Sequence, residues 1–521
     1  MTTAVRVRMW MLVLLAAVAG LACPTRPAEN ATPNPRPAAT ATAGAPAPGA
    51  PASVTDTAGL TVNDIQSRLN ATVVREIVTP ASVAEIQATV RRAKADHLGV
   101  SIAGGRHAMG GQQFGSGTIL IDMSKMNRVL RFDAENGLVE AEAGIQWPEL
   151  IDHLLRVQEG RARQWGIIQK QTGADRLSLG GALSANVHGR GLALKPIIGD
   201  IESFTLVDAD AEVKRCSRAE NGELFRLAIG GYGLFGVIAQ VELRLAPRRK
   251  VERVVEVIPI DQFLPAVQKR VAAGFLYGDF QYNTDAASDD FLKRGVFSTY
   301  RPVPDATPLS ATPHELSTAN WNDLSLLAHV DKKKAFERYA AHYLSTSGQV
   351  YWSDTHQLSL YLEDYHQAID ARLGGEPGTE MITEIYVPRP ALVPFMADVR
   401  EDFRRHDVNV IYGTVRLIEK DDESVLAWAR QPWVCVIFNL HVVHTPQGME
   451  RSAADFRRLI DLAIKYEGSY YLTYHRWATR EQIERCHPRF AEFLALKKKF
   501  DPEERFQSEW YRHNRELFAA R

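Results

Sequence analysis

The sequence predicts an α+β fold with two folded domains, and three observations support this. Short strands rich in Val and Ile alternate with amphipathic helices in the first half of the chain. Three glycine-rich stretches interrupt that half, at residues 101–117, 171–191 and 230–236. Beyond residue 247 these stretches thin out, and long helices alternate with strands rich in Val, Ile and Tyr. Because each element has only one apolar face, we expect helices and sheets to pack in layers.

The chain has 521 residues and a formal net charge of −1. That length is sufficient for two or three domains with a large core. The balanced charge leaves no broad basic field, so nucleic acid is excluded as an expected partner.

The first 23 residues predict a signal peptide. Arg6 and Arg8 precede an apolar run at residues 9–22, which is too short to indicate a membrane span clearly. Cys23 follows, in a loose match to a lipoprotein cleavage site, although Gly20 stands where a larger aliphatic residue is usual. Lipidation of Cys23, ordinary cleavage and an uncleaved anchor remain open. We expect the protein to be exported in a bacterium, either as a periplasmic protein or as a membrane-anchored lipoprotein.

Residues 24–60 are rich in Pro, Ala and Thr and predict a disordered tether. After it, only Cys216, Cys435 and Cys486 remain, an odd number at wide spacing, so no disulfide framework is expected. The sequence contains no CxxC or HExxH pattern and therefore predicts no metal site.

The elements of the first folded domain follow in order. A strand is predicted at 71–80, a helix at 81–97 with a Ser82/Glu85 capping box, and a buried strand at 99–103. Two strands and the helix at 147–158 come next, and a hairpin is expected to turn at 208–212. A helix, a glycine turn and a long strand complete residues 221–247.

The second half has helices predicted at 331–345 and 391–407. The tail predicts a helix that ends at Asp501-Pro502, followed by a short extended segment. The lysine runs at 332–334 and 497–499 are interpreted as solvated helix faces.

The glycine-rich stretches predict close approach of backbone to a ligand. Glycine leaves main-chain N–H groups uncovered, and successive N–H groups bind anionic oxygens such as those of a pyrophosphate. Residues 104–111 do not match GxGxxG and lack GK[ST], which disfavours a classical NAD site and a nucleotide triphosphatase. A tight surface turn is the alternative for this stretch alone.

The ordered set of these motifs resembles a known family. A strand leads into a glycine loop with His107, then SLGGALSANVHGRG and GGYGLFGVIAQVELRL follow, and the chain ends with DPEERFQSEW. This order resembles flavin oxidoreductases of the vanillyl-alcohol oxidase / p-cresol methylhydroxylase type over about residues 71–247. The resemblance implies a PCMH-type FAD-binding domain of two α+β subdomains at 61–247. It also implies a substrate (cap) domain with an antiparallel sheet at 248–475, and a segment at 476–521 that returns to the FAD domain.

The resemblance implies a set of cofactor-binding residues on the glycine-rich stretches, with Ile238 contacting the adenine or ribose through its backbone. The full set is Ile102, Ala103, Gly104, Gly105, Arg106, His107, Ala108, Gly173, Ser178, Gly180, Gly181, Ala185, Asn186, Val187, His188 and Ile238.

His107 stands where several family members carry a histidine bonded to the flavin 8α-methyl group, and RHA resembles the RHS of alditol oxidases. A neutral imidazole nitrogen is a suitable nucleophile for that bond. A histidine that only hydrogen-bonds phosphate or backbone is the alternative. No cysteine lies between residues 160 and 191 to form a second link, and His188 is expected to order its loop.

The cap domain resembles the alditol-oxidase subgroup around YGTVRLIEKDDESVLAWARQPWVCVIFNLH. Arg416 matches an arginine that faces flavin and substrate, and Asn439 falls where that subgroup has a substrate-contacting threonine. The glutamate expected two residues before the arginine is Thr414, so the polyol-binding set is incomplete. For Arg416, a strand arginine paired with a surface acid is the alternative.

The expected Trp-Gly-Lys near the tail is replaced by TYHRWATRE. Arg416 or Arg476 suits the stabilisation of an anionic reduced flavin, and His475 can add positive charge near flavin N1. His475 or Tyr474 is a candidate to accept the substrate's hydroxyl proton. A packed, hydrogen-bonded pair at the domain seam is the other interpretation of Tyr474 and His475.

The leading hypothesis is an exported flavoenzyme that oxidises an alcohol, polyol or sugar-like CH–OH compound by hydride transfer to flavin N5. Its expected partners are a small-molecule substrate and an acceptor, either oxygen or a quinone or cytochrome. A flavin-dependent C=C reductase or dehydrogenase and a non-catalytic flavin-binding surface lipoprotein are the alternatives. Contact with a membrane is expected only through the N-terminal lipid anchor. The sequence does not indicate an oligomeric state.

Overall fold

The computed structural model describes residues 59–359, 362 and 365–519. The predicted signal peptide, Cys23 and nearly all of the predicted tether lie outside these residues, so they stay predictions. No helix in the described part of the chain is both long enough and apolar enough to cross a membrane.

The strands are, in chain order, β1 Leu60–Val62, β2 Thr72–Val74, β3 Glu76–Val78, β4 Val100–Ala103, β5 Ile119–Asp122, β6 Val129–Asp133, β7 Leu138–Glu142, β8 Trp165–Ile167, β9 Ile201–Val207, β10 Val213–Ser217, β11 Val237–Pro247, β12 Lys250–Pro259, β13 Tyr277–Tyr282, β14 Arg294–Val303, β15 Val350–Trp352, β16 Gly378–Pro388, β17 Val410–Ile418, β18 Trp433–Val443 and β19 Ser469–Tyr470.

The helices are α1 Val83–Ala95, α2 Trp147–Val157, α3 Leu179–Ala185, α4 Gly222–Ala228, α5 Phe263–Ala272, α6 Thr318–Val330, α7 Lys332–Ser345, α8 Tyr365–Leu373, α9 Leu392–His406, α10 Pro446–Lys465, α11 Arg480–Cys486, α12 Phe490–Phe500 and α13 Glu509–Ala519.

The strands form two small sheets and two large ones, and the predicted α+β class is confirmed. β1 pairs with β2, and β3-β5-β4 form a parallel three-stranded sheet. An antiparallel sheet has the order β10-β9-β11-β7-β6, with β8 also paired to β11. The largest sheet is antiparallel, has eight strands, and follows the order β15-β12-β14-β13-β17-β18-β16-β19. The domain boundaries expected from the sequence remain predictions.

Several elements form where the sequence places them, because their local signals are strong. Ser82 caps α1 by accepting from the backbone N–H of Glu85. The hairpin of β9 and β10 turns between Val207 and Val213, as expected. The three described cysteines are separate, buried thiols.

Two expectations for the tail need correction. A short extended segment does follow Pro502, with Phe506 bridged to Val100, but it ends at Glu509, where the unpredicted helix α13 begins. The backbone just before that helix lies beside β4, where Val100 N–H donates to Arg505 O and Gln507 N–H donates to Val100 O. This contact fixes the end of the chain against the first parallel sheet.

The second correction concerns Lys497, which does not lie on a solvated face. Its side chain is fully buried and forms an ion pair with Asp501, which is also buried. Asp501 accepts from the backbone N–H groups of Arg505 and Phe506 as well. The ion pair therefore joins the end of α12 to the segment that runs beside β4.

Replacing Lys497 should destabilise the protein far more than replacing its neighbour. Lys497→Met leaves a buried, uncompensated Asp501 carboxylate, and we expect a loss of about 3 kcal/mol or more. The matched control is Lys499→Met, because Lys499 forms an exposed ion pair with Glu223, which contributes about 0–1 kcal/mol. Thermal unfolding followed by circular dichroism measures both. Equal midpoints for the two variants would contradict the structural role of Lys497.

Candidate functional site

The first glycine-rich stretch begins where β4 ends and lies directly against the second. A Cβ on Gly104 would fall 1.9 Å from Ser178 Oγ, and one on Gly105 would fall 2.2 Å from the carbonyl oxygen of Arg176. Only glycine permits backbone segments to approach so closely at these positions. The two stretches, which the family resemblance places on two sides of a ligand, are therefore in direct contact at these glycines.

The second stretch contains a short helix where the sequence analysis assumed a loop. Ser178 caps α3 by accepting from the backbone N–H of Gly181, and α3 ends at Asn186 in the left-handed conformation. The helix forms because Ser178 supplies this cap, and because Gly180 packs tightly against Ala143. Gly181 is exposed although most of its neighbours are buried, so this turn presents backbone at the surface of the site.

The third glycine turn packs onto the other two. Gly230 N–H donates to Leu183 O over 3.0 Å, and Tyr232 N–H donates to Ser184 O over 2.9 Å. A Cβ on Gly233 would lie 3.6 Å from Ile102 Cδ1. All three stretches therefore meet around the end of β4 and the start of α3.

Ile238 begins the long strand that leaves the third turn. It is buried, and it pairs with Leu206 at a point where the register of β11 and β9 shifts. Ala103 is the last residue of β4, Ala185 is the last residue of α3, and Val187 follows that helix; each is buried or half-buried. Gly173 is exposed at a positive φ of 92°.

His107 is half-buried in the first stretch. Burial, together with the nearby charge of Arg176, lowers the pKa of His107 to about 4. The imidazole is therefore neutral near pH 7, which is the form that can act as a nucleophile. Its neighbour Arg106 has a positive φ of 57° and forms an ion pair with Asp122 over 2.6 Å, which holds this turn against β5.

One face of the eight-stranded sheet is buried and polar. Gln281 on β13 pairs with Thr414 on β17, and Asn439 on β18 pairs with Tyr412. Side chains alternate along a strand, so Thr414 and Arg416 share this face while Val415 points into the apolar core. Helices α5, α9 and α10 cover the apolar face, and α6 to α8 lie over the polar face.

Several polar atoms on this face are buried and have no hydrogen-bond partner among the described residues. They are Asp279 Oδ1, Gln281 Oε1, Ser298 Oγ, Thr414 Oγ1, Arg416 Nε and Asn439 Oδ1. Buried polar groups are nearly always paired, and an unpaired one costs about 1–3 kcal/mol. Their concentration on one face indicates a site whose hydrogen-bond partners come from a ligand.

Arg416 connects this face to the second glycine-rich stretch. Its Nη2 donates to Thr172 Oγ1, next to Gly173. Lys170 is fully buried nearby and forms an ion pair with Asp175 over 2.7 Å. Arg416 is therefore buried at the junction of the sheet and the glycine-rich stretches, and this placement contradicts a pairing with a surface acid.

Glu384 is the centre of a second polar group, together with His188 and Tyr474. The carboxylate accepts from Tyr474 over 2.7 Å and from Tyr386 over 2.8 Å, and it lies 2.8 Å from His188 Nε2. Burial raises the pKa of Glu384, but His188 and these hydrogen bonds outweigh it and lower that pKa to about 2. His188 thus anchors its loop to β16, in agreement with its expected ordering role.

Tyr474 is near the site, but its hydroxyl is a donor to Glu384. Burial, and then the charge of Glu384, raise the pKa of Tyr474 well above its ordinary value. The phenol therefore stays protonated and is a poor proton acceptor. This finding argues against the expected role of Tyr474 as a base.

The structure does not bring His475 to the polar face. It is buried among the rings of Phe456, Tyr470 and Trp477, and its Nε2 lies 3.5 Å from Thr383 Oγ1, on the apolar side of β16. Burial lowers the pKa of His475 to about 3. The geometry therefore does not support its expected catalytic role, because the sheet separates it from Arg416 and Asn439.

Arg476 lies on the side of the first glycine-rich stretch that faces the tail. Its Cζ is 3.4 Å from the position of a Cβ on Gly111, and Glu509 of α13 contributes the opposite charge. The structure therefore places Arg476 apart from Arg416.

The sequence analysis missed Glu384, Lys170 and the acceptors on β13. For Glu384 and the β13 acceptors, the only signal is the alternation of polar and apolar residues on adjacent strands, which requires knowledge of the strand pairing. Lys170 lies in the irregular segment after β8, where no local pattern marks it.

The comparisons with known proteins agree with the site. Residues 74–217 match the family model of the FAD binding domain. The chain is thus related to FAD-linked oxidoreductases, and the resemblance expected from the glycine-rich stretches is confirmed. The three glycine-rich stretches that meet at the end of β4, with the exposed backbone of Gly181, also fit a bound FAD.

Three relatives illustrate the range of the similarity. L-gulono-1,4-lactone dehydrogenase of Mycobacterium tuberculosis (strain ATCC 25618 / H37Rv) is 24% identical over 441 residues, 84% of this chain and 95% of the relative. L-gulonolactone oxidase of Mus musculus is 30% identical over 170 residues, 32% of this chain and 37% of the relative. Cytokinin dehydrogenase 4 of Oryza sativa subsp. japonica is 30% identical over 196 residues, 36% of each chain. The match thus spans little more than a third of the length of the last two.

Adding one methyl group at the first glycine-rich stretch should abolish cofactor retention. Gly105→Ala places a Cβ against the carbonyl oxygen of Arg176 and separates the two stretches. Gly375→Ala is the matched control, because a Cβ there meets nothing within 4 Å. The flavin-to-protein absorbance ratio after purification measures retention, and circular dichroism checks folding. A folded Gly105→Ala protein with full flavin content would contradict this account of the site.

Proposed function

We propose that this protein is an FAD-dependent oxidoreductase that oxidises a CH–OH group of a polyhydroxylated, sugar-like compound. The observation that carries this proposal is the buried polar face of the eight-stranded sheet. Its unpaired acceptors and donors suit a ligand with several hydroxyl groups. Two of the relatives are named for gulonolactones, which are compounds of this kind. We extend the substrate class to this chain on that basis.

The glycine-rich stretches supply the residues that would hold FAD. Gly104, Gly105 and their neighbours would bind its diphosphate through main-chain N–H groups, and the start of α3 with Gly181 would contribute further backbone. When bound, FAD supplies the hydride-accepting chemistry of the reaction.

The side chains of the sheet bind the substrate and handle its charge. Gln281, Thr414 and Asn439 orient hydroxyl groups through their unpaired oxygens. Arg416 adds a fixed positive charge at the junction with the second glycine-rich stretch. Because position 414 is a threonine, hydroxyl recognition rests on the neutral groups of Gln281 and Asn439.

Asp279 is the candidate acceptor for the hydroxyl proton. It precedes Phe280, which pairs with Val415, so it occupies the position opposite Arg416 on the same face. Its Oδ1 is buried and has no partner among the described residues, whereas the Glu384 carboxylate is already hydrogen-bonded on both oxygens. The other oxygen, Oδ2, lies 3.9 Å from Arg190 Nη1 in a buried ion pair. A carboxylate with one uncommitted oxygen within reach of a hydroxyl group can serve as a general base.

Asp279→Asn tests this assignment. We expect flavin reduction by a sugar or sugar lactone to slow by about 10²–10⁴-fold, with flavin content and substrate binding little changed. Asp289→Asn is the control, because Asp289 is exposed on the turn that follows the same strand. Stopped-flow measurement of flavin bleaching under anaerobic conditions gives both rates. Equal rates would exclude Asp279 as the base. A wild-type flavin that no alcohol, polyol, sugar or lactone reduces would refute the proposed function.

The second test concerns the attachment of the cofactor through His107. We propose that Nδ1 or Nε2 of this neutral imidazole would be bonded to the flavin 8α carbon in place of one hydrogen. The imidazole proton and the 8α proton would leave to solvent, and the two electrons would pass through the flavin to the enzyme's electron acceptor. Acid precipitation should leave yellow colour on the wild-type protein and on His406→Ala, whose substituted histidine is on the surface. His107→Ala should release all of its flavin into the supernatant. Colour that stays with the His107→Ala pellet, or that leaves the wild-type pellet, would contradict covalent attachment at this residue.

A further inference from the structure

Three histidines and one glutamate converge on the polar side of the eight-stranded sheet, away from the proposed flavin residues. They are His329 of α6, His366 of α8, Glu380 of β16 and His441 of β18, and we name them the His–Glu cluster. His329 Nε2 lies 3.1 Å and His441 Nδ1 lies 3.3 Å from Glu380 Oε1. His366 Nδ1 lies 3.0 Å from Glu380 Oε2, which also accepts from Tyr365.

The cluster is buried, and one of its members lacks a hydrogen bond. The side chains of His329 and Glu380 are each 1% exposed. Within the described part of the chain, His329 Nδ1 has no hydrogen-bond partner, and Nε2 makes only the 3.1 Å contact with Glu380 Oε1. A buried imidazole in this state carries a substantial cost in free energy unless a further ligand satisfies it.

The separations between the donor atoms match those of a metal coordination sphere. Zinc binds histidine nitrogen and carboxylate oxygen at about 2.0–2.1 Å. Tetrahedral angles then place neighbouring ligand atoms about 3.3 Å apart. The two nitrogen-to-oxygen distances to Glu380 Oε1 are 3.1 and 3.3 Å. The ligand atoms of His329, Glu380 and His441 all lie within 4.8 Å of one another.

The other group of possible ligands, His188, Glu384 and Cys435, differs in its hydrogen bonding. The Glu384 oxygens already accept from Tyr386 and Tyr474, and His188 is bonded through both ring nitrogens. Burial also raises the pKa of the Cys435 thiol well above its ordinary value. That group is therefore complete without an ion.

We propose that the His–Glu cluster binds one zinc ion, through His329 Nε2, His441 Nδ1 and Glu380 Oε1. Imidazole with one carboxylate is a donor set suited to zinc, and a site with three protein ligands keeps a fourth position for water or a small molecule. His366 and Tyr365 hold the second oxygen of Glu380 and so orient the carboxylate.

At this location, a zinc ion would join a helix to the eight-stranded sheet and would lie beside the polar face. Glu380 and His441 pair across β16 and β18, two residues along from the pair Ile382 and Asn439 on the same face. His329 comes from α6, and His366 from α8 supports the ligated carboxylate. Zinc would therefore fasten α6 to the sheet next to the proposed substrate residues. The sequence analysis expected no metal because these residues come from four separate elements and form no short motif.

Zinc binding can be measured on the full chain, purified with its flavin and without a histidine tag. Protein treated with a chelator and then dialysed is titrated with zinc chloride in a calorimeter, and metal content is read by mass spectrometry. We expect one zinc per chain. His329→Gln and Glu380→Gln should weaken binding by more than about 100-fold. His342→Gln, on the adjacent helix α7, should bind as the wild type does.

Either of two results would overturn the proposal: wild-type protein that takes up no zinc, or cluster variants that bind it as tightly as the wild type. If the variants fold poorly, X-ray absorption at the zinc edge of the wild-type protein decides. Two imidazole ligands and one oxygen ligand at about 2.0–2.1 Å support the site, and the absence of imidazole scattering refutes it. Flavin reduction plays no part in these readouts, so the proposed function and the metal site can fail independently.

Discussion

The contact between the first and second glycine-rich stretches is the constraint on which the rest of the site depends. Gly104 and Gly105 meet Ser178 and Arg176 at distances that no side chain could tolerate. The same segment sets the start of α3, and α3 in turn accepts the hydrogen bonds of the third glycine turn. Three segments distant in the sequence are thereby fixed by main-chain contacts. Gly104 and Gly105 must be glycine because neighbouring protein atoms leave no room for a Cβ. The approach of a ligand to the backbone is a second reason, not the only one.

The second constraint is the alternation of the eight-stranded sheet. Val415, Val436 and Phe438 are fully buried on the face covered by α9 and α10. The same register then forces Thr414, Arg416 and Asn439 onto the opposite face. A shift of one residue would exchange the two faces, so the large apolar core on one side specifies the polar site on the other.

The sequence was sufficient for the features carried by local motifs. The glycine-rich stretches, the capping box at Ser82 and the joint placement of Arg416 and Asn439 were all predictable from short patterns or from a family resemblance. The sequence did not predict the surroundings of His475 and Lys497 correctly. Tertiary packing decides where each of these side chains points, and the short patterns around them do not encode that packing. Asp279, Glu384 and the His–Glu cluster depend on which strands and helices become neighbours. No short motif encodes that pairing.

Gly413 shows how packing within the sheet maintains the geometry of the polar face. A Cβ at this position would lie 1.8 Å from the hydroxyl oxygen of Tyr282, which donates to Ile437 O over 2.6 Å. The side chain of Tyr282 therefore lies directly against the backbone of β17 at Gly413, where any Cβ would overlap its hydroxyl group. Any larger residue would push β17 away from β13 and β18, and would carry Thr414 and Arg416 with it. The polar face consequently depends on a glycine of the opposite, apolar face, and its geometry rests on packing beneath the sheet as well as on the side chains above it.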